Sequence, residues 1–125
     1  MNESDTRAEL IDPQLAAAGW TTSVDAGVRV RREYNINAGE IRASGIRTGQ
    51  LKADYVLEYK NVKLAVVEAK SIDVDVREGI AQAKNYAQKL RLRFSYAANG
   101  NSIYQINHAT GEEGLIDSFP TPEQL

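Results

Sequence analysis

The chain has 125 residues and a formal net charge of −2, which suits one domain with a substantial core. No run reaches the roughly 18 apolar residues that a membrane helix needs, and the polar, acidic start MNESDTRAEL is unlike a secretory signal. Cysteine is absent, which excludes disulfides and thiolate metal sites and favours a cytoplasmic location.

Helical periodicity predicts a first helix over residues 4–19, with Thr6 and Glu9 at the spacing of a capping box. Asp12, which precedes a proline, fits the cap of a second short helix inside this range. Trp20 follows a glycine that suits the end of the helix, and we predict it to be a core anchor.

A strand is predicted over residues 28–36, and a glycine-containing loop over residues 37–52. Six cations and only two anions lie between residues 29 and 52, although the whole chain is slightly acidic. Arg31 and Arg32 are our candidates within this stretch for contact with a nucleic-acid backbone. An ordinary solvated surface is the alternative.

Two strands over residues 54–59 and 63–70 are predicted to form a hairpin about Lys60-Asn61. Residues 76–93 then follow the period of an amphipathic helix, with one glycine near its start. Alternation of helices and strands along the chain favours an α/β domain with a mixed sheet flanked by helices.

Further strands are predicted over residues 94–98 and 102–106, joined by a turn at Asn99-Gly100. The proline-containing end, residues 119–125, has no core-forming pattern and is predicted to be an exit linker. The folded domain is accordingly placed at residues 1–118.

Three charged side chains are expected to meet at one end of the predicted hairpin. Alternation along a strand places Glu68 and Lys70 on the same face, and antiparallel pairing brings Asp54 beside them. Two carboxylates suit a hard divalent cation such as Mg²⁺, and an ammonium group there can orient a water or stabilise charge on a phosphate. The alternative is a structural ion pair between Lys70 and one of the carboxylates.

Asp54, thirteen intervening residues and then Glu68-Ala69-Lys70 form a pattern that resembles the motif of the PD-(D/E)xK nuclease superfamily. Longer segments are similar to the N-terminal nuclease domain of the R subunit of type I restriction enzymes, over residues 4–125. These segments are SDTRAELIDPQLAAAGW, LKADYVLEY, LAVVEAKS, GIAQAKNYAQKL, FSYAANG and IDSFPTPEQL. The resemblance implies a restriction-endonuclease-like core.

The resemblance also implies roles for particular residues. Asp54 and Glu68 would hold Mg²⁺, and Lys70 would position the attacking water. Gln82 and Tyr86 match a Gln-x-x-x-Tyr motif and would contact the DNA backbone. The alternative for this last pair is an exposed glutamine beside a core tyrosine.

An acidic residue on the first helix completes the metal shell in many members of the superfamily. Glu9 is our candidate for that ligand, and Asp5 is the other choice. The proline that precedes the first aspartate in the superfamily is here Ala53, a departure that removes no ligand.

The implied reaction is Mg²⁺-dependent cleavage of double-stranded DNA, in the manner of a type I site-specific deoxyribonuclease. Its partners would be modification and specificity subunits, and ATP would bind only in a translocase region that this chain lacks, since no P-loop motif is present. Two other readings stay open. One is a non-catalytic DNA-clamping or subunit-docking module, and the other is a related nuclease acting on branched DNA or RNA.

His108 is the chain's single histidine, and it starts a predicted polar loop over residues 108–114. It lacks a second ligand or a triad partner in the sequence, so we predict an exposed loop residue without a chemical role.

Overall fold

A computed structural model of the chain describes residues 2–36 and 51–125. Within them, six strands form one sheet in sequence order, antiparallel except for the parallel pair β3–β4. The strands are β1 (Val28–Asn35), β2 (Lys52–Tyr59), β3 (Val62–Ala69), β4 (Phe94–Ala98), β5 (Ile103–Asn107) and β6 (Glu113–Ile116). This mixed sheet confirms the predicted α/β architecture.

Helices cover both faces of the sheet. They are α1 (Glu3–Thr6), a π-helical segment (Arg7–Ile11), α2 (Asp12–Ala17) and α3 (Ile80–Leu90), with 3₁₀ turns at Val76–Gly79 and Pro122–Gln124. The N-terminal helices bury Ile11 and Leu15 against one face, and α3 buries Tyr86 and Ala87 against the other. No helix in the described ranges is long and apolar enough to cross a membrane.

The hairpin of β2 and β3 forms as predicted. Lys60 and Asn61 both have positive φ angles, 50° and 65°, as a two-residue turn between twisted strands requires. Tyr55 pairs with Val67, and one more step in this register places the next residues, 54 and 68, opposite each other. The register shifts by one residue at a β-bulge between the pairs Leu57–Ala65 and Glu58–Lys63, so the turn and this bulge together determine which side chains meet at the far end of the hairpin.

The first helix begins earlier than predicted. Asn2 is its cap, because the Asn2 side chain accepts a hydrogen bond of 2.8 Å from the Asp5 amide. Thr6 is buried, and its hydroxyl accepts a bond of 3.2 Å from the Ile72 amide. The predicted capping box of Thr6 and Glu9 is therefore wrong, since the cap lies four residues upstream of Thr6.

Asp12 does not cap α2. Its carboxylate accepts hydrogen bonds from the Tyr55 hydroxyl and from the Arg32 guanidinium instead. An arginine and a tyrosine on strands thus bind the carboxylate that the sequence analysis predicted to cap a helix. The prediction that Asp12 caps the second helix is therefore wrong.

Residues 119–125 pack against the domain. Phe119 is buried with its ring edge-to-face on Tyr96, at a centroid distance of 5.6 Å. The Trp20 indole, buried as predicted, donates a hydrogen bond of 2.7 Å to the Pro120 carbonyl. The exit-linker prediction for this segment is corrected, because the 3₁₀ turn and its neighbours belong to the folded unit.

Two further differences concern the region after β5. The predicted polar loop over residues 108–114 runs into β6, which pairs with the edge of β5. His108 is half-buried, and its Nε2 lies 2.9 Å from the Ser95 hydroxyl, so the prediction of an exposed histidine is wrong. The loop predicted before β2, with Arg42 and Arg47, lies outside the described residues except for its last two positions.

Candidate functional site

The carboxyl groups of Asp54 and Glu68 meet at the end of the β2–β3 hairpin. The Asp54 amide donates to Glu68 Oε1 at 3.2 Å, and the Ala69 amide donates to Asp54 Oδ2 at 2.8 Å. Glu68 is 3% exposed, whereas Asp54 is only partly buried. The predicted juxtaposition of these two residues is therefore confirmed in the structure.

Glu68 has an unusual electrostatic environment. Burial, followed by the negative charge of Asp54, raises the pKa of Glu68 well above the ordinary value of 4.5. A buried carboxyl group beside a second carboxylate therefore favours its neutral form. A divalent cation placed between the two would reverse this preference, because it would stabilise both carboxylates in their charged forms.

The acidic residue of the first helix that faces this pair is Glu3, and neither Glu9 nor Asp5 takes that position. Partial burial and then the charge of Asp54 raise the pKa of Glu3, and the charge of Glu3 also acts on Glu68. Glu9 is exposed on the π-helical segment. The sequence analysis missed Glu3 because the predicted helix, residues 4–19 with Thr6 in its capping box, leaves residue 3 outside.

Lys70 reaches the site along the start of α3. A β-carbon added at Gly79 would lie 3.5 Å from Lys70 Cγ and 3.6 Å from Lys70 Cε, so the lysine stem lies against this glycine. Among the described residues, no carboxylate lies within ion-pair distance of the Lys70 ammonium group. The alternative of a structural ion pair between Lys70 and Asp54 or Glu68 is therefore wrong.

The Gln82–Tyr86 pair lies one turn further along α3. Gln82 Nε2 donates a hydrogen bond of 2.7 Å to the Tyr86 hydroxyl. Gln82 is exposed, and the Tyr86 ring is buried in the core beneath α3. Tyr86 thus orients an exposed glutamine near the path of Lys70, and the DNA-binding role of the pair stays a prediction.

The two candidate arginines of β1 are not brought together. Arg31 Nε lies 2.8 Å from Glu58 Oε2, and Arg32 Nη1 lies 2.7 Å from Asp12 Oδ1. Neighbouring strand residues point to opposite faces, so these guanidinium groups lie on opposite sides of the sheet. Each is neutralised within the chain, which weakens the prediction that both contact one DNA backbone.

Arg7 is a second residue near this site, after Glu3, that the sequence analysis did not select. Its Nη1 lies 3.4 Å from Asp54 Oδ1, although 46 residues separate the two along the chain. The available signal was the four-residue spacing from Glu3 to Arg7, which places both side chains on one helical face.

The donor set fits a hard divalent ion. Asp54 and Glu68 supply adjacent carboxylate oxygens, and Mg²⁺ commonly uses one or two carboxylates while keeping several waters. In residues 2–36 and 51–125, no three acidic or histidine side chains converge into a closed cage. The arrangement suits an ion that also takes oxygens from water and from a phosphate substrate.

Fold and site together describe a mixed sheet with a carboxyl pair and a lysine at one rim, and the comparisons with known proteins place it in a family. The family model described as "Type I restriction enzyme EcoKI endonuclease subunit second domain" matches residues 17–122. The chain belongs to this family of type I restriction enzyme endonuclease subunits.

Two relatives show how this chain compares with longer proteins. The type I restriction enzyme EcoAI endonuclease subunit from Escherichia coli is 30% identical over 136 aligned positions, covering 100% of this chain and 16% of that protein. A fragment structure of a protein assigned as an HsdR subunit of a type I restriction enzyme from Vibrio vulnificus YJ016 is 36% identical, with a TM-score of 0.86. It covers 100% of this chain and 24% of the other, so the chain spans a minor part of each relative.

Proposed function

We propose that this chain is the DNA-cleaving domain of a type I restriction enzyme R subunit, hydrolysing phosphodiester bonds of double-stranded DNA with Mg²⁺. The observation that carries the proposal is the contact between the Asp54 and Glu68 groups at the open end of the hairpin. Burying Glu68 beside Asp54 raises its pKa and is costly to folding, and such perturbed groups concentrate at functional sites.

In this proposal Asp54 and Glu68 would hold the ion, with Glu68 in its ionised form. The bound ion supplies Lewis-acid chemistry, lowering the pKa of a water and offsetting charge on the phosphoryl oxygens. Lys70 orients the attacking water with its ammonium group. As the water oxygen bonds to phosphorus, one phosphoester bond breaks; a water proton passes to solvent and the leaving oxygen takes up a proton.

The domain is proposed to act within a larger assembly. Modification and specificity subunits would deliver double-stranded DNA, and ATP would be used in a separate translocase region, with the complex in the cytoplasm. A net charge of −2 supports this dependence on partners, because a nucleic-acid binder that acts alone is usually basic.

The proposal is tested by replacing Asp54 with asparagine, which keeps the shape and removes the charge. Calorimetric titration of this chain with Mn²⁺ is expected to show binding for the wild type and none for Asp54→Asn. Cleavage of plasmid DNA by the complete restriction complex is expected to fall at least a hundredfold in the same variant. Asp73→Asn, which changes an exposed aspartate after β3, is the matched control and should change neither measurement.

Other results would favour the competing readings. A wild-type chain that binds no Mn²⁺, in a complex that cuts DNA normally with Asp54→Asn, would identify a clamping or docking module. Cleavage of branched DNA or RNA in preference to duplex DNA would identify a related nuclease with another substrate.

A further inference from the structure

Among the described residues, the polar contacts of the Arg7 guanidinium group are all long. Its nitrogens lie 3.4 Å from Asp54 Oδ1, 3.5 Å from Ser4 Oγ and 3.9 Å from Glu33 Oε1. Hydrogen bonds between N–H donors and oxygen are usually 2.7–3.2 Å long. The arginine pairs of β1, at 2.8 and 2.7 Å, fall within that range. Arg7 is therefore attracted to the carboxylates without forming a closed pair.

Arg7 also faces open space beside the carboxyl pair. It lines a cleft of about 240 Å³ together with Ser4, Glu33, Asp54 and Tyr55. The Arg7 side chain keeps 21% of its surface exposed, so an anion entering the cleft meets its N–H groups directly. A guanidinium group carries five N–H donors in a planar fork that matches the geometry of phosphate oxygens.

We propose that Arg7 is a phosphate-binding catalytic residue, whose guanidinium group leaves Asp54 and binds the non-bridging oxygens of the phosphodiester that is cut. This rests on the proposed function, since it assigns the DNA backbone as the ligand of the cleft. Asp54 attracts Arg7 while its carboxylate is uncompensated. A divalent cation on Asp54 and Glu68 offsets that attraction, and the guanidinium is then free for the phosphate.

Charge on the phosphoryl oxygens increases as the water attacks, so a fixed guanidinium there stabilises the transition state more than the substrate. Lys70 approaches along Gly79 at the start of α3, whereas Arg7 approaches from the N-terminal helices on the other side of the hairpin end. The two cations would thus contact the same phosphate from two directions.

A structural role for Arg7 makes the opposite prediction about metal binding. If Arg7 only orients Asp54, its removal disorders a ligand, and affinity for the divalent ion falls. If Arg7 is a phosphate ligand, its removal takes a competing cation away from the carboxylates. The affinity for the ion then stays the same or increases.

The experiment compares Arg7→Gln and Arg7→Lys with Arg77→Gln. The control arginine also lies 3.4 Å from a carboxylate, that of Asp75, but its side chain is 70% exposed and does not line the cleft. Mn²⁺ affinity is measured by calorimetry on this chain, and DNA cleavage by the complete restriction complex. For Arg7→Gln we expect cleavage about tenfold slower or more, as for the loss of one charged hydrogen bond, with Mn²⁺ affinity equal to or above that of the wild type.

Arg7→Lys is expected to recover part of the rate, since it restores the charge without the planar fork, and Arg77→Gln is expected to change neither quantity. Weaker Mn²⁺ binding by both Arg7 variants, or normal cleavage by Arg7→Gln, would overturn the assignment. A wild-type chain that binds no Mn²⁺ would instead remove the proposed function itself, and the inference with it.

Discussion

Glu58 in β2 and Glu68 in β3 are both buried carboxyl groups, 7% and 3% exposed, yet their surroundings have opposite effects. The Arg31 guanidinium lowers the pKa of Glu58, whereas burial and the carboxylate of Asp54 raise the pKa of Glu68. Glu58 is thus paired with the Arg31 guanidinium at 2.8 Å, whereas Glu68, at the hairpin end, has another acidic residue as its neighbour. In the proposed function, this difference is explained by a cation that the hairpin end would receive, at a cost in the stability of the metal-free chain.

The largest effect on stability is expected from breaking the ion pair between Arg31 and Glu58. Glu58→Gln should lower the free energy of unfolding by roughly 1–3 kcal/mol, because the charge of Arg31 loses its partner, with some of the loss screened by solvent. Thermal unfolding at neutral pH measures this. Since the pKa of Glu58 is lowered by folding, its contribution is present above the ordinary value of 4.5 and is lost as pH falls. Mn²⁺ affinity should not change.

A change of opposite sign in the free energy of unfolding is expected at the Asp54–Glu68 pair. Glu68→Gln should raise the stability of the metal-free chain by roughly 1–2 kcal/mol at about pH 8, because the variant has no buried carboxylate to ionise. Folding raises the pKa of Glu68, so the wild type loses stability as pH rises above the ordinary value of 4.5. The gain should therefore shrink toward about pH 5. A destabilised variant at pH 8 would contradict the contrast between the two carboxyl groups.

A smaller effect is expected at the path of Lys70. A β-carbon at Gly79 would lie 3.2 Å from Ala97 Cβ, which is closer than an ordinary contact, so the start of α3 would have to shift where it contacts the Lys70 stem. Gly79→Ala should slow DNA cleavage by the restriction complex about tenfold, equivalent to ~1.4 kcal/mol, with little change in Mn²⁺ affinity.

The double variant Gly79→Ala with Ala97→Gly separates the two contacts of the added methyl group. Removing the Ala97 methyl relieves the contact with β4 and leaves the contact with Lys70. Recovery of the cleavage rate in the double variant is the expected result, because the tight contact is the one with Ala97. A persistent defect would contradict a shift of α3 as the cause.

The hairpin was predictable because its signals are local. Alternating residues give the two strands, and Lys60-Asn61 gives the two-residue turn that brings the start of β2 to the end of β3. The β-bulge between Leu57 and Glu58, which sets residue 68 instead of residue 67 opposite Asp54, was not predicted. The turn at Asn99-Gly100 between β4 and β5 was readable for the same reason. In each case the residues that determine the geometry lie close together in the chain.

Other features depend on partners that are distant in sequence. The segment after residue 118 has no apolar periodicity, and its packing depends on Trp20, a hundred residues away from the Pro120 carbonyl. The short strand β6 forms because the edge of β5 offers unpaired backbone groups, and its own four residues carry no strong pattern. Neither the packing of the last residues nor the formation of β6 could be predicted from neighbouring residues in the chain.

The sequence alone determined the mixed α/β class and the hairpin that gathers the two carboxyl residues at one end, because both follow from strand periodicity and turn chemistry. The β-bulge that sets residue 68 opposite Asp54 was seen only in the tertiary structure. Only the tertiary structure decided which other charged residues lie beside the two carboxyl groups. It placed Glu3 and Arg7 at the site, and it paired Arg31 and Arg32 with carboxylates elsewhere in the chain. Charges act through space over a few ångströms, and the packing of a helix on a sheet sets those distances without leaving a pattern in neighbouring residues.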